Sequence, residues 1–253
     1  MTDSIRRSFD AIAESYAREF ADELDRKPFD RELLVGLAST LPHGASALDV
    51  GTGAAGHIGR FLADKGLIVT GVDLSPAAVE VAQRLNPGMT FVVADFRALP
   101  LADASFDAVV GFYCFIYGTD DDVVEGLSEA RRVLRSGGRL LIAIHGDLDD
   151  RPREETFTEF QGTPVDITTR YSTPATLATL AERAGLRIDE LRAREPYEFE
   201  HESRRIYLLA SAPDGCELRT HCQFHHPGRF DCFAARRSPR STLRKQRTHG
   251  SPG

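Results

Sequence analysis

The stretch LDVGTGAAGHIGRFL, residues 48–62, has a glycine-rich turn between a short apolar run and an amphipathic segment. The run ALDV, residues 47–50, predicts a buried strand, and residues 54–65 predict a helix. GTGAAG fits the pattern G-x-G-x-x-G, whose glycines permit a tight turn and close approach of the backbone to a ligand. The stretch therefore predicts a strand–turn–helix unit that binds a cofactor.

Segments typical of strands and helices alternate along the rest of the chain. Further strands are predicted over 67–73, 89–95, 106–113, 139–146, 186–194 and 204–211, and helices over 75–85, 121–135 and 173–185. Ser75 and Thr173 are the predicted N-caps of two helices, and Ser136-Gly137-Gly138 is the predicted end of another. Such alternation indicates an α/β fold, with a doubly wound, mostly parallel sheet. The last two strands have no helix between them, which indicates an antiparallel pair at one edge.

Two segments are placed to cover the cleft at the carboxyl ends of the strands. Residues 1–40 precede the first strand and have a helical pattern, so they are a candidate lid. Residues 147–172 are interpreted as an irregular segment that covers the acceptor side. Together with the alternating region they make residues 1–212 one predicted domain.

The last part of the chain differs in composition. Residues 213–253 contain three of the four cysteines and four of the eight histidines, and they carry a net charge of +5. A zinc site would draw on Cys216, Cys222, His225, His226 and Cys232, but the spacing lacks paired C-x2-C ligands. The favoured interpretation is a disordered basic tail.

Composition restricts the classes of partner. Residues 1–212 carry 23 Lys and Arg against 35 Asp and Glu, and an acidic surface argues against a nucleic-acid substrate. No apolar run reaches the length of a transmembrane helix, and no membrane partner is expected. The N-terminus lacks the apolar stretch of a signal peptide, and Cys114 is the only cysteine before residue 213. The expected location is the cytoplasm; composition leaves the oligomeric state open.

Three carboxylates stand at or near the ends of successive predicted strands. Asp49 lies two residues before Gly51, where a carboxylate would repel a pyrophosphate and attract a cationic cofactor such as S-adenosylmethionine. Asp73 can accept hydrogen bonds from ribose hydroxyls, as acids in NAD sites also do. Asp95 can accept from an adenine amino group, and Phe96 follows it. The pattern favours S-adenosylmethionine and leaves NAD as the alternative.

Four motifs in this order resemble class I S-adenosylmethionine-dependent methyltransferases: LDVGTGAAG, GVDLSPAAVEVA, VVADFRALPLADASFDAVV and EARRVLRSGGRLLIAI. The resemblance covers about residues 9–212 and implies a seven-stranded sheet with an antiparallel last strand and a helical N-terminal lid. The chain departs from the family's D-x-G-x-G-x-G at Ala55, which stands where the third glycine is expected, beside Gly56. It also has Ser136 in place of the proline of the family's K-P-G-G turn.

The resemblance implies roles for individual residues. Gly51 and Gly53 are expected beside the methionine part of the cofactor, and Asp73 beside the ribose. Asp95 and Phe96 are expected to contact adenine. The expected cofactor-binding set is Tyr16, Asp49, Gly51, Thr52, Gly53, Asp73, Leu74, Asp95, Phe96 and Phe112.

The N-terminal segment FDAIAESYAREF looks like the tyrosine-bearing lid of this family. The resemblance implies that Tyr16 closes over the cofactor carboxylate, with Phe9 nearby. The alternative is that Phe9, Tyr16 and their neighbours Ile12 and Phe20 form an ordinary apolar stripe of a helix.

Candidate residues for the chemistry follow the fourth and fifth strands. His145 is the candidate general base, because an imidazole suits proton removal near neutral pH, and Tyr117 is a second catalytic candidate. Tyr113, Phe115 and Tyr171 are candidates for an apolar acceptor pocket. The alternative for His145 is a structural hydrogen bond at a strand end, and about half of the aromatic side chains could face the core instead.

Two polar features are interpreted as structural. The run Asp120-Asp121-Asp122 fits a solvated helix start, where carboxylates lie near the positive end of the helix. His57 is interpreted as a surface residue. No metal site is expected from either feature.

The sequence predicts an enzyme that transfers a methyl group from S-adenosylmethionine to an oxygen or nitrogen of a small molecule. Methyl transfer needs alignment more than a catalytic dyad, because the sulfonium already activates the methyl group. The alternatives are an NAD-dependent oxidoreductase, a cofactor-binding module without catalysis, and a protein or RNA methyltransferase. The last is disfavoured by the acidic composition and by the lack of an N/D-P-P-Y tetrad.

Overall fold

Nine strands and six helices follow one another in a computed structural model that describes residues 2–147 and 153–213. The strands are β1 Ser46–Val50, β2 Ile68–Asp73, β3 Thr90–Val93, β4 Phe106–Phe112, β5 Leu134–Gly146, β6 Glu154–Phe160, β7 Thr163–Arg170, β8 Arg187–Arg194 and β9 Arg204–Ser211. The helices are α1 Thr2–Phe20, α2 Pro28–Ser39, α3 His57–Asp64, α4 Pro76–Leu85, α5 Asp120–Val133 and α6 Pro174–Arg183, with a 3-10 turn at Glu23–Arg26. None of the described helices is both long and apolar enough to cross a bilayer.

Seven of the strands form one sheet in the order β3-β2-β1-β4-β5-β9-β8. Strands β1 to β5 pair in parallel, and β9 is antiparallel to both of its neighbours. The strand order therefore reverses between β1 and β4, and this switch point opens a crevice at the carboxyl ends of these strands. The seven-stranded α/β fold with an antiparallel last strand is confirmed.

Side chains of the central strands alternate between the two faces of the sheet, and they contribute to a hydrophobic core on each face. Leu48, Val109 and Ile142 are buried on one face of the sheet, and their neighbours Ala47 and Val110 are buried on the other. Strands covered on both faces have nearly continuous apolar sequences, which is why they were recognisable. The predicted N-caps are also confirmed: Ser75 Oγ accepts from Ala78 N at 3.0 Å, and Thr173 Oγ1 accepts from Thr176 N at 3.0 Å.

Two sequence predictions about local structure were wrong. The segment 147–172, predicted to be irregular, contains the antiparallel pair β6–β7, joined at Gln161 and Gly162, which both have positive φ. Gln at the first turn position is not the usual Asn or Asp signal, so the hairpin was missed. The predicted turn at 136–138 lies within β5, whose register against β4 shifts there, and Gly137 N donates to Ala212 O. The predicted tail, 213–253, lies outside the described residues apart from Pro213.

Helix α1 crosses the carboxyl edge of the sheet between the β6–β7 hairpin and α4. Ile12 is fully buried against Val165 and Ile167 of β7. On the hairpin side, Ser8 Oγ also accepts from Asp166 N at 2.8 Å. The first helix therefore covers the crevice at the switch point and is attached on both sides.

Candidate active site

A cavity of about 380 Å³ lies beneath α1 at the carboxyl ends of β1, β2 and β4. This volume is at the low end of the range for small-molecule sites. Ten of the predicted site residues line it: Tyr16, Gly51, Gly53, Asp73, Leu74, Asp95, Phe96, Phe112, Tyr113 and Tyr117. The wall also includes Ile5 and Phe9 of α1 and two charged residues. Arg97 was not singled out from the sequence, and Asp122 was interpreted only as part of a solvated helix start.

The glycine-rich loop forms one wall of the cavity in a conformation that needs glycine. Gly51 and Gly53 have φ values of +65° and +63°, in the left-handed region. A Cβ on Gly51 would lie 2.3 Å from Cys114 Cβ, so the loop after β4 packs directly on this position. A Cβ on Gly53 would lie 3.5 Å from the ring of Tyr16. The loop thus packs closely against the segment after β4, and it also lies near Tyr16 of α1.

Asp49 and Thr52 were predicted to contact the cofactor, and they are not among the residues that line the cavity. Asp49 is 1% exposed, and its Oδ2 accepts from Thr52 Oγ1 at 2.7 Å and from Gly59 N at 3.0 Å. These two bonds tie the end of β1 to the loop and to the first turn of α3. Burial raises the pKa of Asp49 to about 6, although the hydrogen bonds oppose this shift. Asp49 and Thr52 therefore stabilise the conformation of the glycine-rich loop from outside the cavity.

The raised pKa of Asp49 predicts a pH-dependent stability that Asp49→Asn removes. The unfolded carboxyl titrates near 3.8, so between about pH 4 and 6 the native state holds the extra proton. The Asp49 contribution to the free energy of unfolding therefore decreases as the pH rises through this window, by about 3 kcal/mol in all. Urea unfolding of both proteins from pH 4 to 7.5 measures the difference.

Because other groups titrate equally in the two proteins, their effects cancel in that comparison. The variant is expected to gain stability relative to the wild type as the pH rises from 4 to 6. Parallel curves would contradict the assignment of a raised pKa to Asp49.

Asp73 is the acceptor at the end of β2. Its Oδ2 accepts from Gly53 N and its Oδ1 from Ser75 N, both at 2.9 Å, so it connects the glycine-rich loop to the start of α4. Burial raises the pKa of this carboxyl above its ordinary value, against the effect of the backbone donors. A carboxylate fixed in this way, with further lone pairs toward the cavity, fits a ribose diol.

The loop is poorly suited to a pyrophosphate. Thr52 N already donates to Val72 O, Gly53 N to Asp73, and Gly59 N to Asp49. A phosphate site at a helix N-terminus needs free N–H groups and positive potential. Here these three donors are used within the chain, and the charged group beside the loop in the cavity wall is the carboxylate of Asp73, so the residues fit S-adenosylmethionine better than NAD.

Aromatic side chains of α1 close the cavity opposite the sheet. Phe9 makes edge contacts with Tyr16 and Tyr117, with centroid distances of 6.0 and 5.6 Å. Burial raises the pKa of both tyrosines above the ordinary value, and each also responds to the negative charge of Asp73. Both phenols are therefore neutral hydrogen-bond donors at physiological pH.

Helix α1 is attached to α4 through Asp10. Asp10 Oδ1 accepts from Ser75 Oγ at 2.6 Å and from Ala77 N at 3.3 Å, and it therefore joins the N-terminus of α4. Asp10→Ala removes these bonds, and we expect tryptic cleavage within residues 2–20 to become severalfold faster, measured by limited proteolysis and mass spectrometry.

The matched control for Asp10→Ala is Glu14→Ala on the same helix. Glu14 pairs with Arg84 of α4, but both side chains are more than half exposed, and such pairs contribute little. Cleavage at wild-type rates is expected for this control. Equal protection of the two variants would show that Asp10 does not anchor α1.

The far end of the cavity contains an ion-pair cluster. Arg97 Nη2 donates to Asp95 Oδ2 at 2.6 Å, and Arg97 Nε donates to Asp95 Oδ1 at 3.0 Å. The same guanidinium contacts Asp122 in the first turn of α5. Burial opposes ionisation of Asp95, but the bonds from Arg97 outweigh it and lower the pKa of Asp95. The predicted adenine acceptor is therefore a fixed anion.

Two predicted acceptor-pocket residues, Phe115 and Tyr171, are also absent from the cavity wall. Phe115 is 4% exposed and packs edge-on against Phe96 at 5.2 Å. Tyr171 lies at the base of the hairpin, where its hydroxyl donates to Glu155 at 2.6 Å. Both side chains thus have partners within the chain, and direct substrate contact by Phe115 and Tyr171 stays a prediction.

His145 lies behind the cavity wall. Its ring stacks on Tyr113 at 4.9 Å, and its Nδ1 is 2.8 Å from Ser203 Oγ. Burial, and then the charge of Arg205, lower the pKa of His145 well below its ordinary value, so the imidazole is neutral. This geometry resembles the structural alternative stated above more than direct proton removal from a bound acceptor.

Buried charges connect the glycine-rich region to the segment between β8 and β9, and no local sequence pattern indicates this connection. His57 is 9% exposed, not a surface residue as predicted, and its Nε2 lies 3.0 Å from Glu23. Glu23 also pairs with Lys27 at 2.9 Å, and Lys27 pairs with Glu200 at 3.4 Å. Burial raises the pKa of Glu23, but His57 and Lys27 outweigh it and lower the value to about 2. The network attaches the N-terminal segment to the sheet.

Residues 48–142 match the family described as "Methyltransferase domain". Demethylmenaquinone methyltransferase of Renibacterium salmoninarum is 32% identical over 154 residues, which are 60% of this chain and 63% of that protein. Malonyl-[acyl-carrier protein] O-methyltransferase of Serratia marcescens is 31% identical over 140 residues, 55% of this chain and 52% of that one. The chain thus spans 63% and 52% of the lengths of these two relatives.

A solved structure resembles the chain over a greater length. It is a methyltransferase of Haloferax volcanii in complex with the Trm112 methyltransferase activator, with a TM-score of 0.64 and 26% identity. The match covers 88% of this chain and 100% of that one. The sheet order and the cavity at its switch point agree with these similarities, so the chain resembles class I S-adenosylmethionine-dependent methyltransferases in sequence over residues 48–142 and in fold.

Proposed function

We propose that this protein transfers a methyl group from S-adenosylmethionine to an oxygen or nitrogen atom of a small-molecule acceptor. The observation that supports this most is the convergence of the glycine-rich loop, Asp73 and Asp95 on one cavity under α1. Carboxylates at the loop suit a cofactor that has a sulfonium and an ammonium and no phosphate.

The proposed roles follow the cavity wall. Gly51 and Gly53 leave space for the methionine part, and Asp73 accepts from the ribose hydroxyls. Asp95 accepts from adenine, and Phe96 packs near it. When bound, S-adenosylmethionine supplies an electrophilic methyl group on a positively charged sulfur.

The remaining contribution of the chain is alignment and exclusion of water. Tyr16, Phe9 and Tyr117 form an apolar cover with neutral hydroxyls, which suits a site where a nucleophile approaches the methyl group in line. Among the described residues no group of three or more His, Cys, Asp or Glu side chains is arranged to hold a metal ion. The proposal depends on positioning rather than on acid–base chemistry by His145, because that ring stacks on Tyr113 and its Nδ1 lies 2.8 Å from Ser203 Oγ.

For the acceptor, the location and the partners we propose only a general class. One relative is named for a demethylated menaquinone and another for a malonyl group on a carrier protein, so small carbonyl or quinone-like acceptors are the first to test. The acidic composition of residues 1–212 supports an acceptor other than nucleic acid. The proposed location is the cytoplasm. Residues 213–253 are proposed to be an appendage to the catalytic domain.

The test is transfer of a methyl group labelled with deuterium. The full chain is incubated with labelled S-adenosylmethionine and a metabolite extract, and products heavier by the labelled methyl are sought by mass spectrometry. Asp73→Ala serves as the control for transfer that does not depend on the site. Tight binding of S-adenosylhomocysteine with no labelled product in any extract would favour a binding module without catalysis.

A further inference from the structure

We infer that Arg97 and Asp122 are positioning residues that fix Asp95 so that the site prefers a 6-aminopurine over a 6-oxopurine. The inference rests on the proposed function, because it concerns the purine of the same cofactor. All three side chains line the far end of the cavity, and none is more than 26% exposed.

Arg97 holds the carboxylate of Asp95 with several bonds at once. Its Nε lies 3.0 Å from Oδ1 and 3.2 Å from Oδ2 of Asp95, and its Nη2 lies 2.6 Å from Oδ2. The backbone N–H of Arg97 also donates to Asp95 Oδ1 at 2.9 Å. A carboxylate bound on both oxygens by one guanidinium has a single orientation, which a pairing with lysine would not impose.

Asp122 fixes the guanidinium from the opposite side. Arg97 Nη1 donates to Asp122 Oδ1, and Asp122 Oδ2 accepts from the backbone N–H of Thr119 at 2.7 Å. Thr119 and Asp122 form the capping box of α5, in which Thr119 Oγ1 also accepts from Asp122 N at 3.2 Å. The position of Asp95 is therefore tied to the first turn of α5 and not only to its own loop.

This arrangement determines what Asp95 can bind. A carboxylate kept ionised by Arg97 only accepts hydrogen bonds, so it matches an exocyclic amino group, which donates. The oxygen at the same position of a 6-oxopurine is an acceptor and would face a fixed anion. Without Arg97 the carboxylate could rotate away from the amino group, and the preference would diminish.

The test compares two nucleosides that differ at this one position. Affinities for S-adenosylhomocysteine and S-inosylhomocysteine are measured by calorimetry for wild type, Arg97→Met and Asp122→Asn. The wild type is expected to prefer S-adenosylhomocysteine by roughly tenfold or more. Arg97→Met is expected to reduce this ratio at least fivefold, mainly by loss of S-adenosylhomocysteine affinity.

Arg132→Met is the matched control. Arg132 also lies between carboxylates, with Nε 2.7 Å from Glu129 Oε1 on α5, but it does not line the cavity. The ratio of the two nucleoside affinities in Arg132→Met is expected to equal that of the wild type. Asp122→Asn retains a side-chain acceptor for the capping box. We expect it to give an affinity ratio between those of the wild type and Arg97→Met. This variant tests the inference independently if Arg97→Met fails to fold.

The outcomes separate the two proposals. Equal losses for both nucleosides in Arg97→Met, or no loss for either, would overturn the inference while leaving the proposed function intact. Failure of the wild type to bind either nucleoside would overturn the proposed function together with the inference.

Discussion

Asp73→Ala is expected to weaken binding of S-adenosylhomocysteine by roughly 100-fold, measured by calorimetry. The carboxylate is buried, accepts from Gly53 N and Ser75 N, and is the proposed acceptor for the ribose. Hydrogen bonds to an ionised group contribute roughly 1.5–3 kcal/mol each, and the substitution also leaves two backbone donors unpaired. The affinity loss therefore includes both lost ribose contacts and a disturbed glycine-rich loop.

Two controls locate the effect of Asp73→Ala. Asp107 also accepts from a backbone N–H, that of Ser46 at 2.8 Å, but it lies near the amino end of β4, away from the cavity. Asp107→Ala is expected to reduce stability and leave affinity within about twofold. His145→Ala is expected to lose far less affinity than Asp73→Ala, because His145 does not line the cavity. Equal losses for His145→Ala and Asp73→Ala would show that the site is wrongly assigned.

Gly51→Ala is expected to lower the melting temperature by about 10 °C. An alanine in the left-handed conformation costs about 1–2 kcal/mol. Its Cβ would also lie 2.3 Å from Cys114 Cβ, and relief of such overpacking costs roughly 1–3 kcal/mol more. For a chain of this size each kcal/mol lowers the melting temperature by about 2–4 °C.

Gly44→Ala separates the two contributions. Gly44 has a φ of +80°, but a Cβ there would have no atom within 4 Å. This variant is expected to lose only the conformational part, about 1–2 kcal/mol, or about 2–8 °C in melting temperature. If both variants melted at the same temperature, the close approach of Cys114 to the loop would be wrong.

Local rules predicted the features that depend on residues near one another in the chain. Ser75 and Thr173 were recognisable as N-caps because the cap bond reaches only three residues ahead. The strands around Leu48 and Val109 were recognisable because burial on both faces requires an apolar run. Asp73 was recognisable because the end of a parallel strand directs its side chain to the switch point.

The remaining features depend on partners that are distant in sequence. Arg97 meets Asp122 across 25 positions, and Lys27 meets Glu200 of the distant segment between β8 and β9, so neither pair has a sequence signature. Asp49 was assigned to the cofactor because of its position, but its carboxylate turns back to Gly59. Tertiary hydrogen bonds therefore determine which of the recognised polar residues line the cavity.

The central claim is tested most directly by calorimetric titration of the full chain with S-adenosylmethionine, S-adenosylhomocysteine and NADH in parallel. The account predicts that the first two bind and that NADH does not, because the loop donors are already used by Asp73, Asp49 and Val72 O. Binding of NADH alone would contradict it, and the glycine-rich loop would then be the site of a pyrophosphate.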